Sequence, residues 1–389
     1  MEKNDWRVEE GLVSQLKYGG MLIEDEVDEK AKLDVISRAA RYSSNTLHLT
    51  IAPTLACNFR CPYCYEKGRR QSDMNAEVEE DLIEFIRERA VGLSELTVCW
   101  YGGEPLLRIG QIRRLTGRIK EVISEQCSYH ATIVTNGYLL SDEVASELVD
   151  LDVRSAQVTL DGSRAEHDRR RIPREGVPTF DVILNNIEKC CQNLQITIRA
   201  NVDKTNISSA DELLDEIERR SLKGSVSFYL APVDNVNGTC LSDSSCFSMK
   251  SYSKEEVVFY RKAIERGFSV SLFNRGNPSI CGAVSKNAYV VDPMGALYKC
   301  WDEVGDGSKA VGSVKEGPML NNAMIRWLSY EPDDEECSTC FAYPVCMGGC
   351  PHHALNGDGK RCSSLRYNVD QRLSLLDRAC IQAKGAAND

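Results

Sequence analysis

Apolar positions along this chain follow two alternating periods. Short runs at Leu47–Ile51, Leu96–Trp100, Ala131–Val134, Ala156–Leu160, Ile196–Val202 and Val226–Leu230 are rich in β-branched and aromatic residues and predict strands. Between and after them the period lengthens to that of a helix. The segment NAEVEEDLIEFIRERAV from Asn75 puts Leu82, Phe85, Ile86 and Ala90 on one face, and the next carries Ile109, Ile112, Leu115, Ile119 and Val122. Further helices are expected over 141–151, 180–192, 209–221, 253–267 and 365–383. A weak helix is expected within 1–46, where Tyr18–Gly20 reads as a turn. Strand and helix alternating about six times imply an α/β fold with a parallel sheet. Six units are too few to close the common eight-stranded barrel, so an open or partial barrel is expected.

Residues that fit neither period collect at one end of this frame. Cys57, Cys61 and Cys64 follow the first strand. Gly102-Gly103-Glu104-Pro105 follows the second, Thr135-Asn136-Gly137 the third and Leu160-Asp161-Gly162 the fourth, while Asn201 ends the fifth and Ala231-Pro232 the sixth. Each alone reads as a turn, since Gly, Asn, Asp and Pro make loops. Together they lie at the carboxyl ends of the strands, the face on which barrel enzymes build active sites. After about residue 275 the helices give way to Gly- and Cys-rich sequence. The expected organisation is a charged, partly helical segment (1–46), a barrel (47–275), a small Cys-rich domain (276–364) and a C-terminal helix and tail (365–389). The Cys-rich domain would have little core beyond inorganic centres.

Composition narrows the chemistry. Among 389 residues, 47 basic against 58 acidic give a net charge of −11, which argues against a nucleic-acid partner. No apolar run approaches the roughly 18 residues of a membrane span. The opening MEKNDWRVEEGL is too acidic and too broken for a secretory signal. The 17 cysteines therefore point away from a disulfide framework and towards metal or cluster ligation in a reducing cytoplasm. Cys99, Cys127, Cys190, Cys191 and Cys380 read as small core residues. Cys240 and Cys246 lie in a polar loop and are open to a redox or ligand role.

Cys57-x3-Cys61-x2-Cys64 offers three thiolates from one loop. A structural zinc wants four ligands, whereas three cysteines on a four-iron cube leave one iron open. Tyr63 is placed to shield such a cube and Phe59 to pack beneath it. With CxxxCx-aromatic-C after the first strand and GGEP at Gly102–Pro105 after the second, the sequence resembles the radical S-adenosylmethionine (SAM) superfamily over 47–275. The resemblance implies a partial (β/α)6 TIM-like barrel. It implies SAM chelated by the open iron of a [4Fe-4S] cluster on Cys57, Cys61 and Cys64. One electron, from a reductant such as flavodoxin or ferredoxin, would yield a 5′-deoxyadenosyl radical that takes a hydrogen atom from substrate. It further implies that Gly102, Gly103, Glu104 and Pro105 meet the methionyl amino group, and that Asn136 and Asp161 neighbour the ribose or substrate. Arg199 would partner the SAM carboxylate, because a guanidinium matches a carboxylate fork.

Cys337-x2-Cys340-x5-Cys346-x3-Cys350, followed by Cys362, resembles the SPASM extension of peptide-modifying members, and Cys281, Gly295 and Cys300 supply its upstream half. A zinc ribbon would need two clean CxxC pairs, and only Cys337/Cys340 forms one. The resemblance implies two auxiliary [4Fe-4S] clusters, one on Cys281, Cys300 and Cys350 and one on Cys337, Cys340, Cys346 and Cys362. The family's extra cysteine a few residues after the first ligand is missing from GAVSKNAYVV. One iron is therefore expected to be open or otherwise ligated, and a substrate cysteine thiolate would suit it. Asp302, two residues after Cys300, is a candidate catalytic residue. Sulfatase-activating relatives place their aspartate next to the corresponding cysteine, so the offset counts against formylglycine formation. His352 and His353 read as donors or ligands near a cluster or, more simply, as solvent-facing.

These features together read as a maturase acting on a ribosomally made, cysteine-containing precursor peptide, most simply by forming a thioether from a cysteine sulfur to a carbon. Carbon–carbon or cyclophane cross-linking, epimerisation and formylglycine formation use the same chemistry. An electron carrier would explain the cysteines but neither GGEP nor the six-unit barrel. A zinc-dependent binding module would carry zinc and no brown colour. The 46 residues before the barrel are shorter than a complete peptide-recognition domain.

Overall fold

Six parallel strands carry the fold in the computed structural model: β1 (Thr46–Thr54), β2 (Glu95–Gly102), β3 (Ser128–Thr135), β4 (Val153–Thr159), β5 (Gln195–Val202) and β6 (Val226–Pro232). The structure describes residues 10–18, 22–236, 238–240, 245–273, 279–332, 335–357 and 359–386, with side chains up to 377. Helices follow the strands at Ala76–Arg89, Ile109–Val122, Asp142–Asp150, Phe180–Cys190, Ala210–Arg219 and Met249–Glu265. Side-chain oxygens of Asn75, Ser141 and Ser248 cap three of them. An additional helix, Arg164–Arg170, lies between β4 and Phe180–Cys190 and is capped by Ser163. Its run of charged residues hid it from a reading based on apolar periodicity.

The strands alternate cleanly. Leu96, Val98 and Trp100 of β2, Ala131 and Ile133 of β3, Ala156 and Val158 of β4, and Ile196 and Ile198 of β5 are buried. They join Leu82, Ile86, Ile112, Leu115 and Ile183 of the helices in one core. The alternate positions Cys99, Tyr101, Thr132, Gln157, Arg199 and Tyr229 are half-buried. Parallel sheets are usually covered on both faces. This second face is only partly covered, which leaves room beside it for bound groups.

The sheet does not close, because β1 pairs not with β6 but with β7 (Ala288–Val291), also in parallel. Antiparallel β8 (Ala296–Tyr298), β9 (Gly312–Ser313) and β10 (Gly317–Pro318) continue the same sheet in the order β10-β9-β8-β7-β1-β2-β3-β4-β5-β6. The Cys-rich region thus starts as an extension of the barrel sheet. The boundary expected near 275 falls in 274–278, outside the described residues. Gly295, at φ +81°, closes the β7–β8 turn, where Asp292 accepts from Met294 N and Ala296 N, each at 2.9 Å.

Both ends of the chain fold back onto this frame. Arg41, at the end of helix Glu29–Arg41, is buried and donates to Leu328 O (3.0 Å) and Tyr330 O (2.7 Å) of the Cys-rich region. Helix Leu365–Ala386 returns to Met249–Glu265. There Asn368 donates to Glu256 (3.0 Å), and Arg372 pairs with the same carboxylate and with Leu272 O (2.6 Å). Among the described residues no helix is long and apolar enough to cross a membrane. Cys127 and Cys190 are buried, Cys99 and Cys191 half-buried, and Cys240 and Cys246 form a disulfide. The side chain of Cys380 and part of the expected Tyr18–Gly20 turn lie outside the described residues.

Candidate active site

The loop after β1 carries Cys57, Cys61 and Cys64 and is held from two sides. On one side the Gly102–Pro105 segment prolongs the β1–β2 pairing: Gly103 N donates to Thr54 O (3.1 Å) and Glu104 N to Ala56 O (3.0 Å). The approach is so close that a Cβ on Gly102 would lie 2.3 Å from Thr54 O, and one on Gly103 would lie 2.3 Å from Ala56 O. On the other side, residues just after helix Arg164–Arg170 grip the loop. Arg60 N donates to Ile172 O, Arg174 N to Asn58 O and Arg174 Nε to Cys57 O, each at 2.8 Å.

Several of the expected site residues serve this loop through the protein. Glu104 is fully buried and accepts from Thr135 Oγ1 (2.7 Å), Asn136 N (2.7 Å) and Leu106 N (3.0 Å), tying the end of β2 to the end of β3. Burial pushes its carboxyl up. Asn136 donates to Asn58 Oδ1 (2.7 Å) and accepts from Tyr138 N (3.0 Å). Asp161, also fully buried, accepts from Asn201 N (3.0 Å) and from the Tyr63 hydroxyl. Arg199 Nε donates to Asn201 Oδ1 at 2.8 Å.

Two residues absent from the sequence reading sit at the centre. Arg170 is fully buried, with Nη1 2.9 Å from Asp203 Oδ2, Nε 3.6 Å from Asp161 Oδ2 and its guanidinium over the Tyr63 ring at 4.6 Å. Arg171 is buried, donates to the Tyr63 hydroxyl at 3.1 Å and stands 5.5 Å from the Phe59 ring centre. Its charge reaches Cys57, Cys61, Cys64 and Glu104. The signal for both was the run DRRRIPR, which starts at Asp168 at the end of helix Arg164–Arg170.

His167 fixes the Asp161 turn from behind. Asp161 N donates to His167 Nδ1 (3.3 Å), so the ring proton sits on Nε2, 3.1 Å from Thr179 Oγ1. Burial, then the Arg171 charge, holds its pKa well below the usual histidine range. Below about pH 6.5 the unfolded chain takes up a proton here that the folded chain refuses, so stability falls as pH falls, by ~1.4 kcal/mol per pH unit. Urea midpoints at pH 7.5 and 5.5 are expected to diverge in the wild type and to diverge less in His167→Gln. Identical slopes in the two proteins would refute the assignment.

The remaining cysteines fall into two groups. Cys281, Cys300 and Cys350 lie within electrostatic reach of one another, and the first two pack against Val284, Trp327 and Tyr330. Cys337 packs with Tyr343 and Met347, and Cys340 lies beside them. Met347, Gly348 and Gly349, all at positive φ, swing the chain from Cys346 to Cys350. A Cβ on Gly349 would meet Arg361 O at 2.1 Å, which puts this turn against the backbone at Arg361 and Cys362. Arg366 Nη1 lies 3.2 Å from Cys362 Sγ and the same guanidinium pairs with Glu336. Lys299 is buried beside Cys281, donates to Ala288 O (2.6 Å), and burial lowers its pKa to about 7.

These thiols are ones that a bound metal centre would stabilise as thiolates. Burial pushes Cys57 up to about 12 and Cys64 to about 11, and raises Cys61, Cys281, Cys300 and Cys350 as well. A bound metal centre reverses that cost, because its charge stabilises thiolates. Among the described residues no three His, Cys, Asp or Glu side chains converge closely enough to hold one metal ion, as zinc would require.

A cleft of about 670 Å³ runs between the tail of the first cysteine loop (Tyr65, Arg69) and the Cys-rich region (Asp302, His352), with Asn235 after β6 on a third side. Asp302 Oδ2 lies 3.7 Å from Cys300 Sγ, and burial pushes the carboxyl up. Arg69 donates to Trp301 O (2.9 Å) and Asp302 O (3.1 Å), and the Trp301 ring stacks on Tyr101 at 5.0 Å. The Tyr101 hydroxyl is within electrostatic reach of both Cys64 and Cys300, so the first and second groups of thiols meet across this pair. The solvent-facing reading fails for His353. It is buried with Nε2 2.6 Å from Asp234, because the loop after β6 packs onto it, while His352 is half-buried against Trp327.

A family model described as the radical SAM superfamily matches residues 51–219. GTP 3',8-cyclase of Clostridium perfringens is 32% identical over 183 residues, 46% of this chain and 52% of that protein, so the chain spans about half the length of this relative. The cysteine-type anaerobic sulfatase-maturating enzyme of Clostridium novyi is 22% identical over 364 residues, 85% of this chain and 96% of that protein. The crystal structure of Streptococcus suis SuiB bound to precursor peptide SuiA aligns with a TM-score of 0.60 and 17% identity, covering 89% of this chain and 84% of that one. That likeness is one of fold.

Proposed function

From the premise that this chain belongs to the radical SAM superfamily and is related to the anaerobic sulfatase-maturating enzymes, we propose that it is a peptide maturase. The observation that carries the reading is the three-cysteine loop fastened to Gly102–Pro105 at the end of an open parallel sheet, with a cleft between the residues just after that loop and the Cys-rich region. Cys57, Cys61 and Cys64 would hold one [4Fe-4S] cluster. Cys281, Cys300 and Cys350 would hold a second, and Cys337, Cys340, Cys346 and Cys362 a third. The setting we assign is a reducing cytoplasm, with flavodoxin or ferredoxin as electron donor. When bound and reduced, SAM and the first cluster supply a 5′-deoxyadenosyl radical.

The chain's own residues bind and orient. Three protein donors on Glu104 leave one lone pair on Oε2, which, with the carbonyls of Gly102 and Gly103, would take the SAM ammonium. Arg199, with only Nε engaged among the described residues, by Asn201, would offer its Nη groups to the SAM carboxylate. Asn136 and Asp161 are occupied by Asn58, Tyr138, Asn201 and Tyr63, so we assign them to positioning the cysteine loop rather than to touching the ribose. Arg171 supplies the fixed positive charge beside the three thiols. Asp302 is placed to accept a proton from a substrate group held near Cys300.

For the product we favour a thioether to a peptide cysteine. The C–H and S–H bonds are lost and a C–S bond forms. One hydrogen atom would go to 5′-deoxyadenosine and the other would leave as a proton and an electron, and a cluster held by Cys281, Cys300 and Cys350 would supply the acceptor for that electron. Residues 282–291 bring no fourth thiol to the Cys281 group, which leaves a place for the substrate sulfur. A second reading, formylglycine formation, is favoured by the match to 96% of a sulfatase-maturating enzyme. Trp301, directly after Cys300 where those relatives carry aspartate, weighs against it.

The test is anaerobic incubation of the reconstituted protein with SAM and dithionite, then with a cysteine-containing peptide encoded beside its gene. Release of 5′-deoxyadenosine and a peptide lighter by two hydrogens per bond are expected. No 5′-deoxyadenosine would refute the enzyme reading. In Gly103→Ala the added Cβ must push the Ala56 carbonyl away, and 5′-deoxyadenosine release should fall about 100-fold, the cost of a displacement near 1 Å at a reacting centre. Near wild-type release would show that the two loops need not touch.

A further inference from the structure

The mouth of the cleft carries exposed cations that the proposed chemistry does not use. Its acidic members are hydrogen-bonded within the protein, which leaves their charge in place, and Lys309 lies within electrostatic reach of two of them, Glu303 and Asp306. Glu303 accepts from Trp327 Nε1 (2.9 Å), Asp306 accepts from Ser308 N (3.0 Å) and Oγ (2.6 Å), and Asp302 lies at the base beside Cys300. Arg69 is likewise fixed, on Glu66 and on two backbone carbonyls. Lys67, Arg70 and Lys309 also line the cleft. No salt bridge or side-chain hydrogen bond to the described residues holds any of the three, whereas most arginines of this chain are paired. Lys67 and Arg70 are exposed and Lys309 half-exposed.

A chain of net charge −11 repels an acidic ligand at long range. Within a Debye length of about 8 Å the local cations decide. We propose that the mouth of this cleft, through Lys67, Arg70 and Lys309, selects peptides that carry Asp or Glu beside the residue to be modified. The proposal rests on the reading of the cleft as the peptide's route to the two groups of thiols. Lys67 and Arg70 come from the cysteine loop and Lys309 from the Cys-rich region. A peptide held between them would lie over Asp302, which is at the foot of the cleft beside Cys300.

The test uses the reconstituted full chain under anaerobic conditions and fluorescein-labelled peptides of Gly and Ser around one Cys, flanked by Glu, by Gln or by Lys. Fluorescence anisotropy should show the Glu peptide bound about tenfold more tightly than the Gln peptide, the sum expected of three exposed ion pairs. The Lys peptide should bind most weakly, and the Glu advantage should shrink as salt rises. The advantage should vanish in Lys67→Ala/Arg70→Ala/Lys309→Ala, while 5′-deoxyadenosine release without peptide stays at the wild-type rate. If the triple variant releases none, the single exposed substitutions Lys67→Ala and Arg70→Ala replace it, and each should lose part of the advantage. Equal binding of the Glu and Gln peptides by the wild type, or an undiminished advantage in the variants, overturns the proposal. A wild type that releases no 5′-deoxyadenosine would instead sink the radical SAM reading, whatever the peptides do.

Discussion

Alanine at Cys61 is expected to abolish release of 5′-deoxyadenosine and to remove about one third of the bound iron, one four-iron cluster of the three we propose. Cys61 is the middle member of its loop. Its charge couples to Cys57 and Cys64, and Arg171 and Asp161 flank it on the strand-end side. Beyond Cys57 and Cys64, which would be ligands themselves, no described cysteine lies in this loop to substitute for it. Alanine at Cys337 is expected to behave differently. It should remove a similar share of iron but leave 5′-deoxyadenosine release largely intact, because Cys337 packs with Tyr343 and Met347, apart from the loop that meets Gly102–Pro105. Iron determination and chromatography of the reaction products, run on both variants side by side, separate the roles. If Cys61→Ala keeps its full iron content, the first cluster is not where this loop lies.

The barrel was legible because each strand and helix announces itself twice, by apolar period and by a polar punctuation at the strand end. The ligand thiols were legible because their spacing is local: three within eight residues, then five from Cys337 to Cys362. What periodicity could not show was tertiary. The continuation of β7–β10 onto β1 depends on pairing between residues more than two hundred positions apart, such as His48 with Ala288. The protein partners of Asn136 and Asp161 were hidden for a related reason. A polar residue at a strand end looks the same in sequence whatever it faces, and the contacts to Asn58, Asn201 and Tyr63 are seen only in three dimensions. Arg170 and Arg171 were hidden by composition. Three consecutive arginines read as a solvated surface, yet two of them are buried between carboxylates, a tyrosine and thiols.

That burial makes Arg170 the position where a single substitution should cost the most stability. Its guanidinium lies between Asp161 and Asp203, both also buried, and over the Tyr63 ring. Burial alone would raise the Asp203 carboxyl. Hydrogen bonds from the Thr205 hydroxyl and Arg170 outweigh it, and Asp203 is held below the usual range. Methionine at 170 fills much of the same volume but leaves Asp203 without its ion-pair partner and Asp161 with only the charge of Arg171 within reach. Breaking a buried pair in this way costs about 3–5 kcal/mol, so the urea midpoint of Arg170→Met should fall sharply. If uncompensated charge is the cause, Arg170→Met/Asp203→Asn should recover a large part of the loss, because it removes one carboxylate without restoring the cation. A loss unchanged in the double variant would instead trace to packing around Tyr63. Because Asp161 and Tyr63 belong to the same cluster of contacts, the single variant should also lose 5′-deoxyadenosine release at temperatures where it is still folded. Stability and chemistry are coupled here through the same buried guanidinium.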